Sequence, residues 1–145
     1  TFKNEKNLWT TTINEQKRYF LYIPQDVEIE NAALLQTIKD SPVIAITYDS
    51  NSTLVETLAE AQYRLEQELS YSQISVVRGL TNSMGSVPKI TCSNATSTTP
   101  VILLQEGNQT RFTQESNCII AEGFSQEDII RIAERIIYSF LGVMS

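Results

Sequence analysis

The chain has 145 residues, enough for one domain with a substantial core, and its 41% apolar and 19% charged residues are typical of a globular protein. A net charge of -6 without any cluster of Lys or Arg makes nucleic acid and anionic membrane surfaces poor partners. The complete absence of His excludes Ser-His-Asp and Cys-His catalysis and His-containing zinc sites.

The N-terminal residues 1–17 are mostly polar and are expected to form an arm or stalk ahead of a single α/β domain at 18–145. The arm is either flexible, as chain termini commonly are, or a stalk or donated strand anchored by Phe2 and Trp9. Because the chain begins at Thr1 without an initiator Met, we interpret it as a processed or truncated product. That leaves room for a leader or membrane anchor removed before Thr1, since no apolar run here approaches about 18 residues.

Apolar runs bounded by turn residues predict the elements of the domain. The continuous run at 43–48 is typical of a central strand that is covered on both faces. The amphipathic stretch 53–70 predicts a long helix and 73–77 the next strand, so the three together predict a βαβ unit. The other expected elements are strands at 18–23, 88–92 and 118–121, a hairpin joining 101–104 to 111–113, and helices at 31–39 and 125–143.

The last helix carries a wide apolar stripe, so we expect it to pack flat on the sheet. Arg131, Glu134 and Arg135 are then expected on its solvent side. The predicted fold class is α/β, with a mixed sheet of about five to six strands, a central βαβ unit, a β-hairpin and this C-terminal helix on one face.

Three Asn-x-Thr triplets, at Asn51, Asn94 and Asn108, fit the acceptor for N-glycosylation, and each falls in a predicted turn or loop. Chance is the alternative in a chain rich in Asn, Ser and Thr. The two cysteines, Cys92 and Cys118, cannot close a typical zinc site without His or another cluster, and we expect no metal or cofactor. They are either buried free thiols or a disulfide. The acceptor triplets favour the disulfide, worth about 3 kcal/mol in chain entropy.

The run from Asp49 to Thr53 follows the predicted central strand and opens the long helix. It loosely resembles the first motif of haloacid-dehalogenase phosphatases, Asp-x-Asp-x-Thr, but Asn51 stands where that motif has its second acid. We therefore interpret it as a helix N-terminus. Ligands of open α/β sheets bind at the carboxyl ends of strands, so Asp49, Ser50 and Ser52 are also candidate ligand-binding residues, together with the loop 79–86.

Several segments of the C-terminal half carry a family resemblance: Pro88-Lys-Ile-Thr-Cys92-Ser-Asn-Ala-Thr96, Gly107-Asn-Gln-Thr-Arg-Phe112 and Asn117-Cys-Ile-Ile-Ala-Glu-Gly123. Over residues 88–144 the chain resembles an uncharacterised family of small archaeal extracytoplasmic proteins with an N-terminal membrane anchor. That family has no assigned activity. The resemblance implies a location outside the cytoplasm and a disulfide between Cys92 and Cys118, but no catalytic residue.

These observations predict a non-enzymatic extracytoplasmic glycoprotein domain, at the cell surface or in the envelope, that assembles with itself or with other envelope proteins. The alternative is an extracytoplasmic module that binds a small ligand at the carboxyl ends of the central strands. An enzyme that uses acidic residues and a metal is the third hypothesis, and the least favoured, because no catalytic constellation is visible in the sequence.

Overall fold

The computed structural model describes all residues from 1 to 145 as an α/β fold with two sheets and two α-helices. Short 3-10 helices lie at Pro24–Val27, Ala32–Thr37 and Cys92–Asn94. None of the helices combines the length and apolar character needed to cross a membrane. The main elements are β1 (Lys3–Glu5), β2 (Leu8–Ile13), β3 (Gln16–Phe20), β4 (Val43–Tyr48), α1 (Val55–Ser70), β5 (Ser75–Leu80), β6 (Val101–Glu106), β7 (Arg111–Glu115), β8 (Cys118–Gly123) and α2 (Gln126–Phe140).

The larger sheet has five strands in the order β5-β4-β6-β8-β7, and only β7 runs antiparallel to its neighbour. The β4–α1–β5 segment is the predicted βαβ unit, which is confirmed. Both α-helices pack on one face of this sheet and bury the main apolar core against it. The carboxyl ends of β4, β6 and β8 therefore meet at one edge, which is where polar loops follow β4 and β6.

The predicted hairpin between 101–104 and 111–113 is wrong. β6 pairs in parallel with β8, and the hairpin is formed by β7 and β8 around a tight turn at Ser116, which has a φ of 54°. The reason lies in composition: β6 and β8 are mainly apolar and occupy the sheet centre, whereas β7 is mainly polar and suits the edge. β6 therefore pairs with β8, which matches its burial, and not with β7, which follows it in the chain.

Two shorter elements also differ from expectation. The helix predicted at 31–39 is a 3-10 helix at Ala32–Thr37, and Asn31 before it has a left-handed backbone with a φ of 63°. The strand predicted at 88–92 is reduced to a single bridge between Lys89 and Leu80, beyond which Cys92–Asn94 turns as a 3-10 helix. Pro88 has no N–H to give to a sheet, which limits how far pairing can extend there.

Residues 1–20, which include the segment predicted as an arm or stalk, form a three-stranded antiparallel sheet of β1, β2 and β3. Its two hairpins turn at 6–7 and 14–15, and all four turn residues have positive φ. Such turns match the right-handed twist of paired strands and tolerate Asn well. Phe2 and Trp9 pack against the main core, so this N-terminal sheet lies on the helices.

The expectation that Glu134 and Arg135 lie on the solvent side of α2 is wrong: their relative exposures are 0% and 4%. Glu134 accepts from the backbone N–H groups of Leu21 and Tyr22, which follow β3, whereas Arg135 donates to Ser139 and to the C-terminal Ser145. Phe20 of β3 stacks on Tyr138 with ring centroids 4.4 Å apart. Only Arg131 remains partly exposed, where it donates to the backbone oxygen of Asp26. The apolar stripe of α2 faces the sheet as predicted. The opposite side of α2 makes a second contact, through polar groups of Glu134 and Tyr138, with the residues that follow β3.

Candidate functional site

The candidate ligand residues Asp49, Ser50 and Ser52 lie together in the loop between β4 and α1, at the carboxyl edge of the sheet. Here an open depression of about 340 Å³ is lined by Asp49, Asn51, Ser52, Thr53, Leu58, Gln105 and Glu106. The parallel order of β4 and β6 brings the two strand ends side by side, which is why Glu106 faces a loop more than 50 residues earlier in the chain.

The carboxylate of Glu106 occupies the position beside the N-terminus of α1. It accepts hydrogen bonds from the Ser52 hydroxyl, from the backbone N–H of Thr53 at 3.0 Å and from the Thr53 hydroxyl at 2.9 Å. These hydrogen bonds, led by the one from Ser52, hold the pKa of Glu106 below its ordinary value. The N-terminus of a helix attracts anions, and at α1 the Glu106 carboxylate of the protein itself occupies that position.

The other polar groups of the loop are also engaged within the protein. The side chain of Asn82 accepts from the Ser50 backbone N–H at 3.1 Å and donates to the Ser50 hydroxyl at 2.6 Å. One oxygen of Asp49 accepts from the backbone N–H of Asn51 at 2.9 Å. The hydrogen bonds therefore fix the loop shape, and a ligand would have to compete with Glu106 and Asn82 for the same groups.

A second open depression, of about 550 Å³, shares Asp49 and Gln105 with the first and extends along the sheet face opposite the helices. Leu103 and Ile120 give it an apolar floor, and Glu115 lies at its far side. No three acidic or thiol side chains converge as a metal ion would need. The two depressions thus offer a shallow surface with the carboxylates of Asp49 and Glu115 along it and an apolar floor in the second.

The predicted disulfide between Cys92 and Cys118 is confirmed. Cys118 is the fully buried first residue of β8, and Cys92 belongs to the loop that crosses the sheet face opposite the helices. Around the bond, Ala45, Ile90 and Val101 form a small second core. The disulfide thus fastens a long loop to the sheet where apolar contacts are few, and it is consistent with an extracellular protein.

The three acceptor residues Asn51, Asn94 and Asn108 are all exposed. Asn51 and Asn108 lie in the loops that follow β4 and β6, at the carboxyl edge, and Asn94 lies two residues beyond Cys92. The Asn94 side-chain oxygen accepts from the Thr91 backbone N–H at 2.8 Å, so its amide nitrogen is turned away from that contact. All three side chains are placed where a glycan can extend into solvent.

Sequence reasoning missed Glu106 and Asn82 as parts of this edge. Glu106 was assigned to a hairpin turn, yet a polar residue at the end of an apolar parallel strand is itself a signal for the carboxyl edge. Asn82 follows β5 in the same way and was included only as part of a loop.

Comparison of the chain with protein-family models, curated proteins and solved structures finds no match.

Proposed function

We propose that the chain is an extracytoplasmic glycoprotein domain that acts through contacts with other proteins rather than through catalysis. The observation that carries this proposal is the Cys92–Cys118 disulfide. Stable disulfides form in oxidising compartments and are rare in the cytosol. The three exposed acceptors support the same compartment, because a glycan needs a surface residue in a secreted chain.

The distribution of the acceptors supports a division of the surface. Asn51 and Asn108 lie at the carboxyl edge, and Asn94 lies in the loop that crosses the sheet face opposite the helices. The opposite side, made of the N-terminal sheet and α1, has no acceptor but exposes large side chains. Tyrosines are enriched at protein interfaces because they offer apolar area and a polar tip together. The large hydrophobic side chains exposed on this side are those of Tyr19, Leu21, Tyr63 and Tyr71.

We therefore propose that the partners, further copies of the chain or other envelope proteins, contact the side formed by β3 and α1. Arg18 stacks on the ring of Tyr71 at 4.6 Å, and Gln67 donates to the Tyr63 hydroxyl at 3.0 Å. These contacts hold the exposed rings in one orientation, which lowers the entropy lost when a partner covers them.

The compartment is tested by the intact mass of the protein purified from its source without reduction. The proposal expects two hydrogens fewer than the reduced chain and additional mass from sugar at one or more of the three acceptors. Free thiols together with an unmodified mass would overturn it. The contact side is tested by cross-linking in the native envelope: linked peptides should map to β3 and α1, and linkage only through the carboxyl edge would contradict the assignment.

A small-ligand-binding module is the second candidate, favoured by the 340 Å³ depression at the strand ends. A ligand there would contact Asp49 and Ser52, but not Ser50, which bonds with Asn82 outside the depression, and would displace Glu106. Native mass spectrometry of gently purified protein distinguishes the two candidates. A bound small molecule that is lost from a D49A/S52A variant would favour the module, whereas a wild-type protein that carries no small molecule would remove it.

A further inference from the structure

The third residue of each acceptor triplet is a threonine, and its hydroxyl is what makes the triplet a substrate. In this chain those residues are Thr53, Thr96 and Thr110. A transferase can recognise the triplet only while that hydroxyl is free to bond with the enzyme. The three hydroxyls have hydrogen-bond partners at different distances along the chain. This difference determines whether each asparagine can be modified after the chain has folded.

Thr53, in the triplet of Asn51, is tied to a distant strand. Its hydroxyl donates to Glu106 at 2.9 Å and its backbone N–H donates to the same carboxylate at 3.0 Å. The neighbouring Ser52 donates there as well. Glu106 ends β6, so this arrangement exists only once β4 and β6 have paired. In the folded chain the middle and last residues of the triplet are both held by Glu106.

Thr110, in the triplet of Asn108, is tied to the start of α2. Its side-chain oxygen accepts from the Phe124 backbone N–H at 3.2 Å. The Thr110 hydroxyl thus accepts from a backbone N–H 14 residues further along the chain, which approaches it only on folding.

Thr96, in the triplet of Asn94, makes only local contacts. Its side-chain oxygen accepts from the backbone N–H of Thr99 at 3.0 Å and lies 3.3 Å from the Thr98 hydroxyl. All of these residues belong to one loop, and Thr96 is exposed. This local turn can open without breaking a contact to the sheet. The disulfide at Cys92 lies outside the turn and does not hold it closed.

We infer that Asn51 and Asn108 accept sugar mainly before the sheet folds, whereas Asn94 remains an equally good substrate in the folded, disulfide-bonded chain. The inference deepens the proposed glycoprotein function and rests on it. In the transfer, the asparagine Nδ2 attacks the anomeric carbon of a polyprenyl-phosphate-linked sugar. The C–N bond forms, the anomeric C–O bond breaks, polyprenyl phosphate leaves and the amide loses one proton to a base of the transferase.

The test uses a purified oligosaccharyltransferase, a polyprenyl-phosphate-linked sugar donor and two forms of acceptor. One is the folded, oxidised, sugar-free chain, and the other is a set of three synthetic peptides covering 47–57, 90–100 and 104–114, with the Cys92 thiol alkylated. Site occupancy is read by peptide mass spectrometry. The two hydrogen bonds that Thr53 makes to Glu106 reduce the population with a free hydroxyl roughly 30-fold, and the single bond at Thr110 reduces it roughly fivefold. Transfer should therefore be slower in the folded chain than in the peptides by at least about tenfold at Asn51 and by roughly fivefold at Asn108, while Asn94 differs little.

A variant sharpens the test at one acceptor. E106A frees the Thr53 hydroxyl without touching Thr110, so transfer to Asn51 in the folded chain should rise and transfer to Asn108 should not. E115A is the matched control, because Glu115 is an exposed carboxylate of the same sheet with no contact to any triplet. Circular dichroism and the intact disulfide establish that each variant is folded.

Equal rates for the folded chain and the peptides at Asn51 and Asn108 would overturn the inference. So would an E106A chain that folds but shows no gain at Asn51. Should E106A not fold, the comparison of folded wild type with peptides still decides the matter. A native protein without sugar would instead remove the glycoprotein proposal, and the transfer rates in vitro would stand apart from that result.

Discussion

Glu134 of α2 is the residue whose replacement tests most directly how the N-terminal sheet is held. Its side chain is fully buried, and its two oxygens accept from the backbone N–H groups of Leu21 at 2.8 Å and Tyr22 at 2.7 Å. Arg64 of α1 completes the contact with a charged hydrogen bond to the same carboxylate. One side chain thus joins both helices to the chain segment that leaves β3.

Replacing Glu134 by Gln keeps the shape but changes the pattern of donors and acceptors. The amide presents one acceptor oxygen and one NH2 group, so one of the two backbone N–H groups faces another donor and Arg64 loses its counter-charge. Removing one partner of a buried pair costs about 3–5 kcal/mol. Each kcal/mol lowers the Tm of a domain of this size by roughly 2–4 °C, so we expect E134Q to lower Tm by roughly 6–20 °C.

Urea unfolding gives the free energy of unfolding, and hydrogen exchange reports on the Leu21 and Tyr22 amides. E127Q is the matched control, because Glu127 is an exposed acid on the same helix, and it should stay within about 0.5 kcal/mol of wild type. A loss below about 1 kcal/mol in E134Q, with unchanged protection of the two amides, would refute the idea that this carboxylate holds the N-terminal sheet.

Three further predictions concern the disulfide, the carboxyl edge and α2. The C92A/C118A variant should lose about 3 kcal/mol of stability in urea unfolding, and an unchanged midpoint would contradict it. The depressed pKa of Glu106 stabilises the fold above the ordinary value of 4.5 and ceases to do so as pH falls through the lowered value. The stability deficit of E106A should therefore shrink below pH 4.5, and a pH-independent deficit would count against this. Y138F removes the 2.6 Å hydrogen bond to the Tyr22 oxygen and should cost about 1 kcal/mol by calorimetry, whereas no loss would mean that water replaces it.

The carboxyl edge illustrates how far local patterns reach in locating a site. Because a buried strand followed by Asp49, Ser50 and Ser52 predicts the edge of a parallel sheet, the place of the candidate site was predictable. Its content was not, since Glu106 enters it only through the pairing of β4 with β6. The contact between the Glu106 carboxylate and the N-terminus of α1 depends on two segments together, and neither segment predicts it alone.

The sequence by itself determined the βαβ unit, the extent of α1 and the disulfide partners, because period, turn residues and two lone cysteines are local or exhaustive signals. Only the tertiary structure decided that β6 lies beside β8 and that Glu134 is buried. Both depend on contacts between segments far apart in the chain. The polarity of Glu134 shows that its side chain needs a polar partner. That partner can be water or the backbone N–H groups of the residues after β3, and the periodicity of the helix does not distinguish the two.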